Sequence, residues 1–182
     1  MEDSSRDSNR YQFERFILTQ LLVMALKGVP AFYLPALLAS ENDIKSFSMT
    51  GQRRDLNREK FKSDNLLSVL DNPESNANKN IKYLRNAMDV RSNLKQFHPC
   101  AEMRCLSKGR SDIVVIKRGK GPESVFAIHN MTENKINYQL NDNDLPKIID
   151  NDFNTHDFLT STKYNCKNIS LDPFQVIWLS AL

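Results

Sequence analysis

The densest run of side chains able to do chemistry is Gln52-Arg53-Arg54-Asp55-Leu56-Asn57-Arg58-Glu59-Lys60, which follows Glu41-Asn42-Asp43. A guanidinium carries a fixed fork of donors suited to carboxylate or phosphate oxygens. One reading is a set of solvated ion pairs, Arg53, Arg54 and Arg58 with Asp55 and Glu59, each contributing little at a surface. A second is phosphate binding by Arg53 or Arg58. A third is nucleic-acid binding through residues 53–60. Asp55 and Glu59 dilute that charge, and no aromatic is interleaved before Phe61. Asn42, Asp43, Asp55 and Asn57 are short polar residues that bond nearby amides and so shape a loop.

Other reactive residues are scattered. His98 precedes Pro99 and reads as a helix-end residue, while His129 and His156 are too far apart in sequence to suggest a metal site. Gly119-Lys120-Gly121-Pro122 is a turn that lacks the Gly-Lys-Ser/Thr form of a phosphate loop. Cys100, Cys105 and Cys166 form no Cys-x-x-Cys pair and read as reduced thiols. Neither a metal nor a cofactor is expected.

These residues need elements to position them. Phe13, Phe16, Ile17, Leu21 and Met24 follow helical spacing, predicting a helix from about Tyr11 to Lys27, capped by Asp7, Ser8 or Asn9 and stopped by Gly28. Val29 to Leu34 is a short apolar run without alternation, as expected of a strand buried on both faces. A long polar connection from Ala39 to about Asp71 follows it, holding the arginine run where an α/β barrel would place its active site. Asn72, Pro73 and Glu74 predict the start of a second helix, with Ala77, Ile81, Leu84, Met88, Arg91 and Leu94 on one side and an end at Phe97-His98-Pro99. From Cys100 onward the pattern is β: strands at 102–106, 112–117, 124–131, 135–140, near Phe158 and at 175–179. Turns at Lys108-Gly109, 119–122 and 141–144 separate them, which describes a small antiparallel sandwich.

Composition sets the bounds. The 182 residues carry 25 Lys+Arg against 22 Asp+Glu, a net charge of +3. That is too small an excess to call for a nucleic-acid partner. With 40% hydrophobic and 26% charged residues, the chain reads as globular and cytoplasmic. A complete β/α barrel needs about 250 residues, so the first half reads as part of something larger. The polar, acidic N-terminus does not fit a signal peptide. Lys27, Gly28 and Pro30 interrupt the apolar stretch Phe16 to Leu38, so no membrane partner is expected. Asn130-Met131-Thr132 and Asn168-Ile169-Ser170 match glycosylation sequons by chance.

Gly28-Val29-Pro30-Ala31-Phe32-Tyr33, then Leu37-Leu38-Ala39-Ser40-Glu41-Asn42-Asp43, then Thr50-Gly51-Gln52-Arg53-Arg54-Asp55-Leu56-Asn57-Arg58-Glu59 resemble the sucrose phosphorylase branch of the α-amylase superfamily of glycoside hydrolases. In that family a Gly-(Val/Ile)-Pro-Ala-x-Tyr motif forms the eighth barrel strand. An Asn-Asp follows, and then a Gly-Arg-(Ser/Thr/Asp)-Ile-Asn-Arg-like stretch before the eighth helix. Here Gln52 and Arg53 stand between the Gly and the Arg. The resemblance spans roughly residues 10–98. Residues 100–182 correspond only by position, with Pro173 to Leu179 suiting the last strand.

The resemblance implies an α+β chain: the last βα step of a (β/α)8 barrel over residues 1–98, then an antiparallel β-sandwich over 99–182. It implies retaining glucosyl transfer by an Asp nucleophile, a Glu acid and a second Asp, with carboxylates about 5 Å apart. None of these three has a counterpart in this chain. Arg54 matches the loop arginine that hydrogen-bonds a distal hydroxyl of the bound glucosyl ring. A glucoside substrate, with inorganic phosphate as acceptor, is therefore expected only in the complete enzyme, with the missing N-terminal barrel segment as a further partner. The competing reading is a non-catalytic module that binds carbohydrate or protein. The fragment reading predicts an inactive isolated chain whose first half exposes apolar surface.

Overall fold

A computed structural model describes residues 10–57, 60–107, 109–141 and 153–180. Contacts divide the chain into two compact units, residues 30–86 and residues 1–29 with 87–182. Spatial contact therefore does not follow a division at residue 98. The expected caps Asp7, Ser8 and Asn9, the pair Arg58 and Glu59, Lys108, and Asp142 to Asp144 of one turn lie outside the described residues.

The larger unit begins with α1 (Gln12–Ala25), close to the predicted span, with Ile17, Leu18, Leu21, Met24 and Ala25 buried. Its N-cap is Tyr11, left-handed at φ 59° and without a side-chain cap.

The other unit was read as a buried strand and a structureless loop, and both readings need correction. Residues 29–33 form no strand. Tyr33 is extended (φ −84°, ψ 139°), but a strand exists only through its ladder. Tyr33 and Leu34 are 55% and 51% exposed, so the run is not covered on both faces. A short α2 (Leu34–Leu37) follows. The polar connection is itself helical: α3 (Ile44–Thr50), a 3-10 turn Arg53–Asn57, and α4 (Ser63–Asp71). Its local caps outweigh its polarity.

The next helix, α5 (Asn76–Asn93), starts later than Asn72 predicts. The Ser75 hydroxyl oxygen accepts from the Asn78 amide at 3.0 Å, which is the capping bond. Asn72 instead accepts from the Glu74 amide at 3.0 Å, an Asx turn. The buried stripe is Ala77, Asn80, Leu84 and Ala87, and Met88 stands at its edge. The buried Asn80 side chain donates to the Ala36 and Leu37 carbonyls at 2.9 and 2.7 Å, closing α2. The last turn is a 3-10 helix, Lys95–Phe97.

The β region runs β1 (Met103–Cys105), β2 (Ile113–Arg118), β3 (Val125–Asn130), β4 (Ile136–Tyr138), β5 (Asn154–His156), β6 (Lys163–Asn165), β7 (Ile169–Leu171) and β8 (Val176–Ser180). The predicted strands are present, while β6 and β7 were not anticipated. A four-stranded antiparallel sheet has the order β1-β2-β3-β8, and β4-β7 and β5-β6 form two smaller pairs. On one face Ile113, Val115, Phe126, Ile128, Ile177 and Leu179 pack with Leu140, Cys166, Ile169 and Leu171. Register places Val114, His129 and Val176 together on the other face, and likewise Ile116, Ala127 and Trp178. Trp178 meets Phe97 there, with ring centroids 4.6 Å apart. Both faces being covered, every residue of β3 is buried.

Two arginines close the C-terminal end of α1. Arg91 donates from Nε to the Met24 carbonyl at 3.0 Å and from Nη2 to the Gly28 carbonyl at 2.9 Å. Arg118, fully buried, donates to the carbonyls of Ala25, Gln96 and His98 at 3.1, 3.3 and 2.9 Å. The last carbonyls of a helix lack partners and carry partial negative charge, so guanidinium is the matching group. The apparent break at Arg91 in the apolar face of α5 is this clasp.

Candidate functional site

The arginine run and the Asn-Asp pair fold into one local arrangement within residues 30–86. Asp43 caps α3. Its Oδ1 accepts from the Ser46 amide at 2.9 Å and its Oδ2 from the Ser46 hydroxyl. Those two bonds hold the Asp43 carboxyl below its ordinary range. Its own amide donates to the Leu56 carbonyl at 2.8 Å, tying the start of the loop to its far side. The Ile44 amide donates to the Asn42 carbonyl at 2.9 Å, while the Asn42 side chain is exposed.

α3 ends at Gly51, whose φ of 67° favours a residue without Cβ and whose amide donates to the Phe47 carbonyl at 2.8 Å. The chain then doubles back into the 3-10 turn. Thr50 Oγ1 donates to Asp55 Oδ2 at 2.6 Å and accepts from the Gln52 amide at 3.2 Å, closing the bend. Asp43 and Asp55 thus act on backbone and hydroxyl groups of the loop.

Arg54 differs. Its Nε lies 4.0 Å from Asp55 Oδ1, beyond hydrogen-bonding distance, and its side chain is 65% exposed. Among the described residues no hydrogen bond engages its guanidinium, so the donor fork is open to a hydroxyl or an anion. Arg53 and Asn57 are exposed on the same 3-10 turn.

A cavity of about 350 Å³ opens in the same unit, lined chiefly by Leu38, Phe61, Leu66, Val69 and Ala77 with Glu41 and Asn65 among its polar groups. None of the expected site residues lines it. The helical spacing of Leu66, Val69 and Leu70 was the sequence signal for α4 and for this wall.

The remaining candidates have structural places. His98 Nδ1 accepts from the Cys100 amide at 3.2 Å. His129 is buried in β3 against the Val114 carbonyl, and burial pushes its pKa down to about 4. The His156 ring lies edge-on to Phe158. Gly119 turns at φ 80° where a Cβ would come within 2.9 Å of the Gln96 side chain, and Lys120 pairs with Glu102 at 3.1 Å. Among the described residues no three His, Cys, Asp or Glu side chains are grouped to hold a metal. Nor is any described helix long and apolar enough to cross a membrane.

No family model matches the chain. Solved chains do match its fold. The trehalose-6-phosphate hydrolase of Bacillus licheniformis aligns over 96% of this chain and 40% of its own, with a TM-score of 0.66 at 16% identity. The protein AmyP, solved in complex with maltose, aligns over 98% and 36%, with a TM-score of 0.67 at 15% identity. The chain therefore shares the fold of part of each of these proteins.

Sequence narrows the class. The chain is 31% identical over 130 residues to the glucosylglycerate phosphorylase of Allomeiothermus silvanus, covering 71% of this chain and 23% of that protein. It is 21% identical over 172 residues to the Escherichia coli enzyme of the same name, covering 94% and 29%. Over the aligned residues the chain is thus similar to glucosylglycerate phosphorylases. It spans less than a third of the length of these curated relatives.

Proposed function

We propose that this chain is the C-terminal part of a retaining, glucosyl-transferring enzyme of the sucrose phosphorylase type. In this reading residues 1–98 contribute the last βα step of the barrel, and residues 99–182 form the C-terminal β-sandwich. The similarity to glucosylglycerate phosphorylase over 130 residues carries the proposal. The open guanidinium of Arg54 supports a role for it in binding the substrate. Its planar fork suits two oxygens at once, a distal sugar hydroxyl and a neighbouring carboxylate.

The reaction needs an ionised carboxylate to attack the anomeric carbon and a protonated one to release the leaving oxygen. Those groups, and the acceptor-binding groups for inorganic phosphate, are assigned to the part of the enzyme that precedes this chain. Asn42, Asp43, Asp55 and Asn57 are assigned to shaping the loop that presents Arg54. The complete enzyme is placed in the cytoplasm.

The test is a fusion. The glucosylglycerate phosphorylase of Allomeiothermus silvanus, with its matching region replaced by this chain, should phosphorolyse glucosylglycerate or sucrose, whereas the isolated chain should not. Arg54→Ala in the fusion should raise KM or lower kcat by about tenfold to a hundredfold, as loss of one charge-assisted bond to substrate does. Turnover by the homogeneous isolated chain would refute the proposal. So would a folded fusion that phosphorolyses neither glucoside.

A further inference from the structure

The lining of the cavity within residues 30–86 is graded by burial. Leu38 and Ala77 are only 6% and 4% exposed. Phe61 and Leu66 are half-buried, whereas Glu41, Asn65 and Asn76 are exposed. Three elements converge there. α2 ends in a Schellman turn, in which the Ala39 amide donates to the Ala36 carbonyl at 3.2 Å and the Ser40 amide to the Pro35 carbonyl at 2.9 Å. Ala39 takes the left-handed φ of 48° that this turn requires and that glycine ordinarily supplies. The chain thus bears backbone strain where it leads into Ser40 and Glu41 on the cavity wall. α4 brings Asn65, Leu66 and Val69, and the first turn of α5 brings Asn76 and Ala77.

The hydrogen-bonding capacity of this lining is unspent. The side chains of Ser40, Glu41, Asn65 and Asn76 engage no partner among the described residues. Ser75 differs, because its hydroxyl oxygen already accepts from the Asn78 amide and lies 2.6 Å from the Val69 carbonyl. Two carboxamides and a hydroxyl both donate and accept, while a carboxylate only accepts. Among the described lining residues Glu41 is the one charged group, so an anion would meet repulsion without a counter-charge. An ammonium would use Glu41 and leave the carboxamide donors idle. Hydroxyl groups on a small carbon ring or chain use the polar groups and the apolar ones together. The volume of about 350 Å³ lies at the low end of small-molecule clefts, about 300–1,000 Å³, and suits one ring better than a long chain.

We propose that this cavity binds a neutral monosaccharide or short polyol, held by Glu41, Asn65 and Asn76 against Phe61 and Ala77, and that Glu41 turns away phosphorylated sugars. This goes beyond the glucosyl-transfer reading and does not depend on it.

The test is an NMR titration of the full 182-residue chain with D-glucose, α-D-glucose 1-phosphate and tetramethylammonium. Glucose should shift the amides of Ser40, Asn65 and Asn76 saturably, with a Kd of about 1–10 mM. The phosphorylated sugar should bind about tenfold more weakly, and Glu41→Gln should remove that difference. Asn65→Leu, at an exposed position of α4, should weaken glucose about tenfold while thermal unfolding matches the parent. Absence of saturable shifts at those three amides overturns the proposal, as does glucose binding indifferent to both variants. Tighter binding of tetramethylammonium or of the phosphorylated sugar overturns it too. Glucose shifts confined to the Arg53–Asn57 turn and abolished by Arg54→Ala would also overturn it, while supporting the role given to Arg54. Binding at the cavity together with an inactive fusion supports this inference and refutes only the enzymatic reading.

Discussion

Acidification from about pH 7.5 to about pH 5 should weaken the larger unit by about 2 kcal/mol through His129 alone. The imidazole is fully buried on β3. Its Nδ1 lies 3.2 Å from the Val114 carbonyl. Burial dominates, and it lowers the pKa from the ordinary 6.5 to about 4. The folded chain therefore holds the ring neutral, whereas the unfolded chain takes up a proton below about 6.5. Stability is intact above that value and is lost progressively as pH falls toward about 4. A difference of this size corresponds to about 3 kcal/mol in full and about 2 kcal/mol by about pH 5. Asp157 acts in the opposite sense, because burial raises its pKa and the folded state then binds a proton more readily. The wild-type slope alone thus understates His129, and a paired variant is needed. Trp178 is the single tryptophan and is fully buried in β8, so its fluorescence reports this unit. Urea unfolding across the pH range should give His129→Gln a flatter profile than wild type by about 2 kcal/mol at about pH 5. Parallel profiles for the two proteins, or an imidazole that titrates near its ordinary value by NMR, would refute the reasoning.

Removing the Arg118 guanidinium by Arg118→Ala takes the donor from the buried Ala25 carbonyl and from that of Gln96, while the His98 carbonyl keeps the Ala101 amide. The expected loss is about 3–5 kcal/mol, or about 10 °C in Tm; a loss under about 1 kcal/mol would show that the clasp contributes little. Cys166 is buried and its thiol is pushed up to about 11, while Cys100 and Cys105 are exposed. A thiol reagent at mildly alkaline pH should therefore titrate two groups in the native chain and a third only on unfolding. Three fast groups would contradict that placement. Asp43→Ala should speed hydrogen exchange at the Ser46 amide while leaving exchange in β3 unchanged, since the lost cap is local to α3.

What could be read from the sequence was what short-range physics decides. α1 and the strands of the four-stranded sheet lie where periodicity and alternation place them. Trp178 is core because an indole in an apolar strand has few other places to go. The segment 39–71 resisted for the opposite reason. Its polar composition reads as a loop, yet Asp43 and Gly51 bound a helix between them. Arg91 and Arg118 were opaque as well. Their partners are carbonyls distant in sequence, and nothing in a residue string marks a carbonyl as unpaired.

The run at Val29 to Leu34 shows how composition and context part company. A stretch of that kind has the makings of a buried parallel strand. Burial, however, is supplied by neighbours, and among the described residues Ala31 stays exposed and Phe32 only half-buried. The same division applies to Arg54. Its place in a motif suggests what it binds, while its open guanidinium follows from the loop, because the bond from Thr50 Oγ1 to Asp55 Oδ2 holds the carboxylate with its Oδ1 4.0 Å from Arg54 Nε. Were Asp55 free, it would be the nearest carboxylate to close on Arg54 and to neutralise the fork. The Thr50 hydroxyl thus keeps the arginine available, and Thr50→Val should let the Arg54–Asp55 pair close. In the active fusion that closure would lower substrate affinity, so Thr50→Val there should raise KM in the same direction as Arg54→Ala.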